Sequence, residues 1–183
     1  MQLRGKDLGG KEMLEIAEMI RKATLNTGTL FVVNDRIDVA LLSGADGVHV
    51  GQSDLPARAA RAMLGPDAII GVSTATVEES IEAEAEGADY LGVGPIFPTG
   101  TKADAGEAIG LAAITAIKRA VRIPVVAIGG ISLANIADVA RAGADSAAVI
   151  SAVVCSDDMA RATRELANEF ERGRTESPWR KDG

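Results

Sequence analysis

A tripeptide recurs along the chain as Gly44-Ala45-Asp46, Gly87-Ala88-Asp89 and Gly143-Ala144-Asp145, each time after a helical pattern and before a run of apolar residues. Glycine at a helix end takes the left-handed backbone without a Cβ clash, and the chain then turns directly into a strand. Helix, glycine turn and buried strand in repetition point to a parallel sheet of right-handed βα units, its strands nearly continuously apolar under covering helices.

The remaining pattern agrees. Short β-branched or apolar runs at 1–4, 30–34, 47–50, 68–72, 90–93, 125–128 and 146–150 predict seven strands. Between them, Met13, Ile16, Ala17 and Ile20 recur at helical spacing, as do Val77, Ile81 and Ala85, then Ile114, Ile117 and Lys118, and finally Met159, Ala162, Leu166 and Phe170. Polar residues follow nearly every strand: Arg4 and Lys6, Asn34 and Asp35, Gln52 and Asp54, Ser73, the 95–102 loop, Gly129-Gly130 and Ser151. An open doubly wound sheet needs such ends only at its switch point, whereas each strand of a TIM barrel sends its C-terminal loop to one mouth. The expected fold class is therefore α/β, a TIM (β/α)8-type barrel. Seven strands are visible where eight complete the barrel, so one βα unit is unaccounted for. Residues 1–170 are expected to form the barrel, and the polar segment 171–183, which contains Pro178, a mobile tail.

Composition narrows the partners. With 26 acidic against 19 basic residues, a net charge of -7 and 3% aromatics, the chain lacks the basic surface and stacking rings of a nucleic-acid binder. A single cysteine, Cys155, rules out an internal disulfide, and no signal region or long apolar run is visible. The expectation is a cytoplasmic protein acting on small molecules, with no membrane partner; a homo-oligomer is compatible with it.

A set of motifs carries a family resemblance: Gln2-Leu3-Arg4-Gly5-Lys6, Asn34-Asp35, Gly47-Val48-His49-Val50-Gly51-Gln52-Ser53-Asp54, Gly71-Val72-Ser73, Gly94-Pro95-Ile96-Phe97-Pro98-Thr99-Gly100-Thr101-Lys102 and Ala127-Ile128-Gly129-Gly130-Ile131. In this order and spacing, from Gln2 to about Phe170, the chain resembles the thiamine-phosphate synthase family. Two departures stand out. The chain begins where the family's second strand ends, so the resemblance implies that the first βα unit is absent, and Gly5 occupies a position where an acidic residue is common.

The resemblance implies a transferase that joins 4-amino-5-hydroxymethyl-2-methylpyrimidine diphosphate to 4-methyl-5-(2-phosphooxyethyl)thiazole and releases diphosphate. The thiazole nitrogen is already nucleophilic, so the hard step is expulsion of diphosphate from a methylene, which calls for a metal and cations where charge develops. Asp35 and Asp54 suit Mg²⁺, which takes a few carboxylates together with water and phosphate oxygens; as single residues, each would ordinarily be read as a helix N-cap. By similarity Gln2, Leu3, Arg4, Gly5, Lys6, Asn34, Ser73 and Lys102 contact the pyrimidine diphosphate. Arg4, Lys6, Ser73 and Lys102 are the catalytic candidates, although Ser73 is not read as a nucleophile. Thr99, Gly100, Thr101, Gly130, Ile150 and Ser151 are assigned to the thiazole phosphate, the 95–102 loop to a lid, and 151–155 to a short phosphate-facing helix.

His49, the only histidine, lies within a strand and is read as a packed or hydrogen-bonded residue rather than a base. Cys155 is read as a small apolar residue. Alternatives to the synthase stay open: a thiazole tautomerase-like barrel, an unrelated phosphate-binding barrel, or a binding remnant without turnover because of the missing first unit.

Overall fold

The structure, a computed structural model, describes residues 1–100 and 106–179. Two compact units emerge, one made of Met1–Ser73 with Ala83–Asp89, the other of Thr74–Glu82 with Tyr90 onward.

The first unit contains β1 (Gln2–Leu3), α1 (Gly10–Thr24), β2 (Val32–Asn34), α2 (Ile37–Ser43), β3 (Gly47–Val50), α3 (Ala57–Leu64) and all but the last residue of β4 (Ile69–Thr74). These strands pair in parallel and in sequence order, with Leu3 beside Val33, Val33 beside Val48, and His49 beside Gly71. Val32 and Val33 in β2 and Val48 and His49 in β3 are all buried, and because successive strand residues point to opposite faces, both faces of these strands are covered as a parallel sheet requires. After α4 (Val77–Ala85), the second unit holds β5 (Tyr90–Val93), α5 (Gly110–Ala120), β6 (Val125–Ile128), α6 (Ile136–Arg141), β7 (Ser146–Ala148), α7 (Ser151–Val154) and α8 (Met159–Thr175). Here Leu91 pairs with Val125 and Val126 with Ser146, again in parallel. Strand and helix alternate as far as α7, which α8 follows directly, and the described residues supply the seven strands expected.

The repeated tripeptide does more than turn the chain. Its glycines have φ of 64°, 90° and 109°, as a left-handed helix end needs. Its aspartates each close a clasp. Asp46 Oδ2 accepts from the Phe31 N–H at 2.7 Å while its carboxylate pairs with Arg21 of α1 at 3.0 Å. Asp89 accepts from the Ile70 N–H at 2.7 Å and pairs with Arg61 of α3 at 2.6 Å. Asp145 accepts from the Val125 N–H at 2.8 Å and pairs with Lys118 of α5 at 2.5 Å. In each case the aspartate's own N–H returns a bond to the same residue's carbonyl at 2.8 Å. The entry of a strand is thereby tied to the turn before the next one, and the helix cation neutralises the carboxylate.

The C-terminal segment differs from expectation. Residues 171–179, expected in a mobile tail, continue α8 to Thr175 and then pack: the Ser177 hydroxyl donates to the Arg141 carbonyl at 3.1 Å, and the Arg119 guanidinium lies 5.8 Å from the Trp179 ring centre. Ion pairs at helical spacing (Glu169 with Arg172, Glu171 with Arg174) keep this polar sequence helical. Residues 180–183 lie outside the described residues.

Candidate active site

In the first unit, the functional side chains expected from the sequence collect at strand C-termini. Arg4 follows β1, Asn34 ends β2 and Asp35 follows it, Asp54 lies in the turn after β3, and Ser73 lies near the end of β4. Asp35 has φ of 63°, a conformation that Asp and Asn tolerate better than other side chains. Its N–H donates to the His49 carbonyl at 2.8 Å, and the next N–H, of Arg36, returns to the Asn34 carbonyl at 2.8 Å. This tight turn brings the Asp35 carboxylate within 3.7 Å of the Arg4 guanidinium.

Asp54 is held differently. Its Oδ2 accepts the Gly51 N–H at 2.7 Å, and its own N–H donates to the Gly51 carbonyl at 3.1 Å, so the turn fixes the carboxylate. Neither aspartate caps a helix: the caps of α2 and α3 are Arg36 and Pro56, both without a side-chain bond. The helix-cap explanation for these residues is therefore removed.

Asp54 instead acts on Asp35. Burial, then the charge of Asp54 and a hydrogen bond to it, push the Asp35 carboxyl above the usual carboxylate range, with Arg4 and Lys6 opposing the rise. Two neighbouring carboxyl groups suit a divalent cation. Among the described residues no cluster of three or more His, Cys, Asp or Glu forms a metal cage. A pair of carboxylates completed by water and substrate oxygens is the donor set that Mg²⁺ commonly takes, so Asp35 and Asp54 fit that ion.

Ser73 is anchored at two atoms. Its Oγ lies 2.8 Å from His49 Nε2, and its carbonyl accepts from Gln52 Nε2 at 2.7 Å. His49 is buried and hydrogen-bonded, as expected; its partner was not legible from the sequence, because the contact joins residues on neighbouring strands. Lys6 is exposed and reaches the cluster through its charge. Gln2 is exposed in β1 and Leu3 buried. At Gly5, a Cβ would stand 2.4 Å from Leu8 Cδ1, so the departure from an acidic residue accompanies Leu8 covering this position.

The second unit contains a cavity of about 400 Å³. Thr99, Gly100, Gly130, Ile150 and Ser151, five residues expected at the thiazole phosphate, all line it. Ser151 opens the short helix α7, close to the expected 151–155. Gly130 has φ of 63°, and a Cβ there would meet the Pro98 carbonyl oxygen at 2.6 Å, so the loop after β5 packs directly on this backbone. The Phe97 N–H bonds to the Gly129 carbonyl at 3.1 Å, and Asn135 Nδ2 donates to the Gly130 carbonyl at 3.0 Å. Asn135 gave no sequence signal, since a lone Asn before a helix reads as a cap. Thr101 and Lys102 lie outside the described residues. Cys155 is exposed at the end of α7 rather than packed, because that helix buries none of its residues.

Residues 1–153 match the family model described as thiamine monophosphate synthase. The chain belongs to that family. A thiamine-phosphate synthase of Moorella thermoacetica is 52% identical over 174 residues, 95% of this chain and 83% of that protein. The Methanospirillum hungatei protein of the same name is 55% identical over 168 residues, 92% of this chain and 82% of its own length. Among solved structures, a thiamine phosphate pyrophosphorylase from Pyrococcus furiosus superposes with a TM-score of 0.86 at 45% identity, covering 94% of this chain and 82% of that one. A 3-hexulose-6-phosphate synthase, 24% identical with a TM-score of 0.68, shares the fold alone. The expected fold class, α/β of the TIM-barrel type with seven strands, stands. Among the described residues no helix is long and apolar enough to cross a membrane.

Proposed function

We propose that this member of the thiamine monophosphate synthase family condenses 4-amino-5-hydroxymethyl-2-methylpyrimidine diphosphate with 4-methyl-5-(2-phosphooxyethyl)thiazole, forming thiamine phosphate and diphosphate in thiamine diphosphate biosynthesis in the cytoplasm. The observation that carries this reading is the Asp35–Asp54 pair beside Arg4: a half-buried carboxyl beside an exposed one, next to a guanidinium, suits a metal-bound diphosphate and has no capping role. Mg²⁺ held by the two carboxylates would supply positive charge to the diphosphate oxygens.

The chain's own residues do the rest. Arg4, Lys6 and Lys102 bind the diphosphate and stabilise its charge as the carbon–oxygen bond breaks and the bonding pair leaves with it. The aminopyrimidine spreads the positive charge left on the methylene, and the thiazole nitrogen lone pair then forms the new carbon–nitrogen bond. Gln2, Leu3, Gly5, Asn34 and Ser73 complete the pyrimidine diphosphate contacts. Thr99, Gly100, Thr101, Gly130, Ile150 and Ser151 hold the thiazole phosphate through neutral donors, and the 95–102 loop keeps water from the cationic carbon. The curated relatives bear the synthase name at about half identity, which supports synthesis over the tautomerase alternative. Incubating the protein with both substrates and Mg²⁺ tests the reading: thiamine phosphate is expected, and its absence under conditions where a known synthase turns over would sink it.

A further inference from the structure

We infer that His49 and Gln52 are positioning residues that orient Ser73 toward the pyrimidine diphosphate, an assignment that rests on the proposed function. The parallel register sets Asn34 beside His49 and His49 beside Gly71, so Ser73, two residues beyond Gly71, projects from the same face of the sheet. On that face His49 Nε2 meets Ser73 Oγ at 2.8 Å, while Gln52 Nε2 grips the Ser73 carbonyl at 2.7 Å. Side chain and main chain of one serine are therefore both held from β3 and the turn that follows it.

The imidazole is buried, and its Nε2 is engaged with the hydroxyl. With the proton on Nε2, His49 donates to Ser73 Oγ, and the serine's own proton is left for an acceptor on the substrate. A pyrimidine diphosphate offers ring nitrogens and phosphate oxygens as such acceptors. Without His49 the hydroxyl would be spread over three staggered rotamers, and binding would have to fix one of them. Gln52 adds a second constraint. It belongs to the same turn as Asp54, whose Oδ2 is bound to the Gly51 N–H at 2.7 Å, so the bond from Gln52 ties the Ser73 backbone to the loop that carries the carboxylate.

The test uses Ser73→Ala, His49→Ala, His49→Gln, His49→Asn and Gln52→Glu in the full chain. Binding of pyrimidine diphosphate with Mg²⁺, without thiazole phosphate, is measured by calorimetry beside steady-state kinetics. Ser73→Ala and His49→Ala should each weaken that binding about tenfold, and the double variant should be no weaker than Ser73→Ala alone. The thiazole-phosphate KM should stay unchanged. His49→Gln, whose amide reaches as far as Nε2, should restore most of the loss, whereas the shorter His49→Asn should not. Gln52→Glu keeps the shape, removes the donor and sets a carboxylate against the Ser73 carbonyl; a loss of about fivefold is expected. Should His49→Ala fail to fold, the Gln and Asn variants decide the matter by themselves. If Ser73→Ala weakens binding while the His49 and Gln52 variants bind normally, or if the double variant loses the product of the single losses, the positioning roles fall and the proposed function stands. If Ser73→Ala binds and turns over normally, the Ser73 contact in the proposed function fails and the inference fails with it.

Discussion

The two candidate subsites offer opposite means of recognising a phosphate. In the first unit the groups are charged side chains: Arg4 and Asp35 are 3.7 Å apart, and burial and Asp54 hold the Asp35 carboxyl above its ordinary range. In the second, a cavity of about 400 Å³ is lined among the described residues by hydroxyls, glycines and aliphatic side chains, with no charged side chain. The chemistry assigned to each explains the contrast. A diphosphate that leaves gains charge in the transition state, and cations aimed at it stabilise that state more than the ground state. A phosphate that stays on the substrate changes no charge during the reaction, so neutral donors hold it adequately and contribute uniform binding. Variants of the first group should therefore change kcat, and variants of the second should change KM.

The largest effect is expected from Asp35→Asn and Asp54→Asn. Each should lower kcat by roughly three orders of magnitude, about 4 kcal/mol, while circular dichroism shows the fold kept. Asn also tolerates the left-handed backbone at position 35, so this variant isolates charge from conformation. Rates measured across a Mg²⁺ titration check it; full turnover in excess chelator would break the contrast at its charged end.

Lys102→Ala comes next, with a loss of about two orders in kcat and an unchanged KM for the thiazole phosphate. An effect confined to that KM would move Lys102 to the other substrate.

Ser151→Ala sharpens the neutral end. It should raise the thiazole-phosphate KM about tenfold, the loss of one hydrogen bond, and leave kcat nearly intact. A dominant fall in kcat would show that this phosphate, too, takes part in the transition state.

The smallest expected effect concerns stability. Because the folded Asp35 carboxyl titrates above its unfolded value, the folded state binds the proton more tightly. Its contribution to stability is complete below the unfolded pKa and is lost as pH rises through the raised folded one. Asp35→Asn should thus raise the Tm of metal-free protein at neutral pH and leave it nearly unchanged in acid. Thermal melts across that window check the sign, and a lower Tm for the variant at neutral pH would show that Arg4 outweighs the repulsion.

How much of this was legible in the sequence depends on whether the determining contact is local. The strands and the long helices announce themselves by period, and α1, α5 and α8 contain the repeating apolar positions expected of them. Strand ends moved because pairing with neighbours decides them: β4 runs on to Thr74, and β7 stops at Ala148. The short α6 is legible only as the helix before Gly143 and not by a run of periodic positions, since its apolar residues are buried on several sides, which blurs the amphipathic period. Asp35, Asp54, Gly130 and Ser151 could be picked out because their positions after strands follow from chain order. The bonds of Ser73 to His49 and Gln52 could not, because register across strands sets them. For the same reason the repeated aspartates read only as turn residues, although they accept from N–H groups well back in the chain.

Those aspartates also define what can be exchanged within the protein. The clasps draw their cations from α1, α3 and α5, skipping α2 and α4, and they tie β2, β4 and β6 to the turns that follow. The self-contained module is consequently a pair of βα units. A graft cut between clasps would bring its own cation, aspartate and backbone partner, and would leave the recipient's remaining clasps whole. A graft of a single unit would split one, stranding a carboxylate in one parent and a buried N–H in the other. Recombination between relatives should therefore tolerate crossovers in pairs.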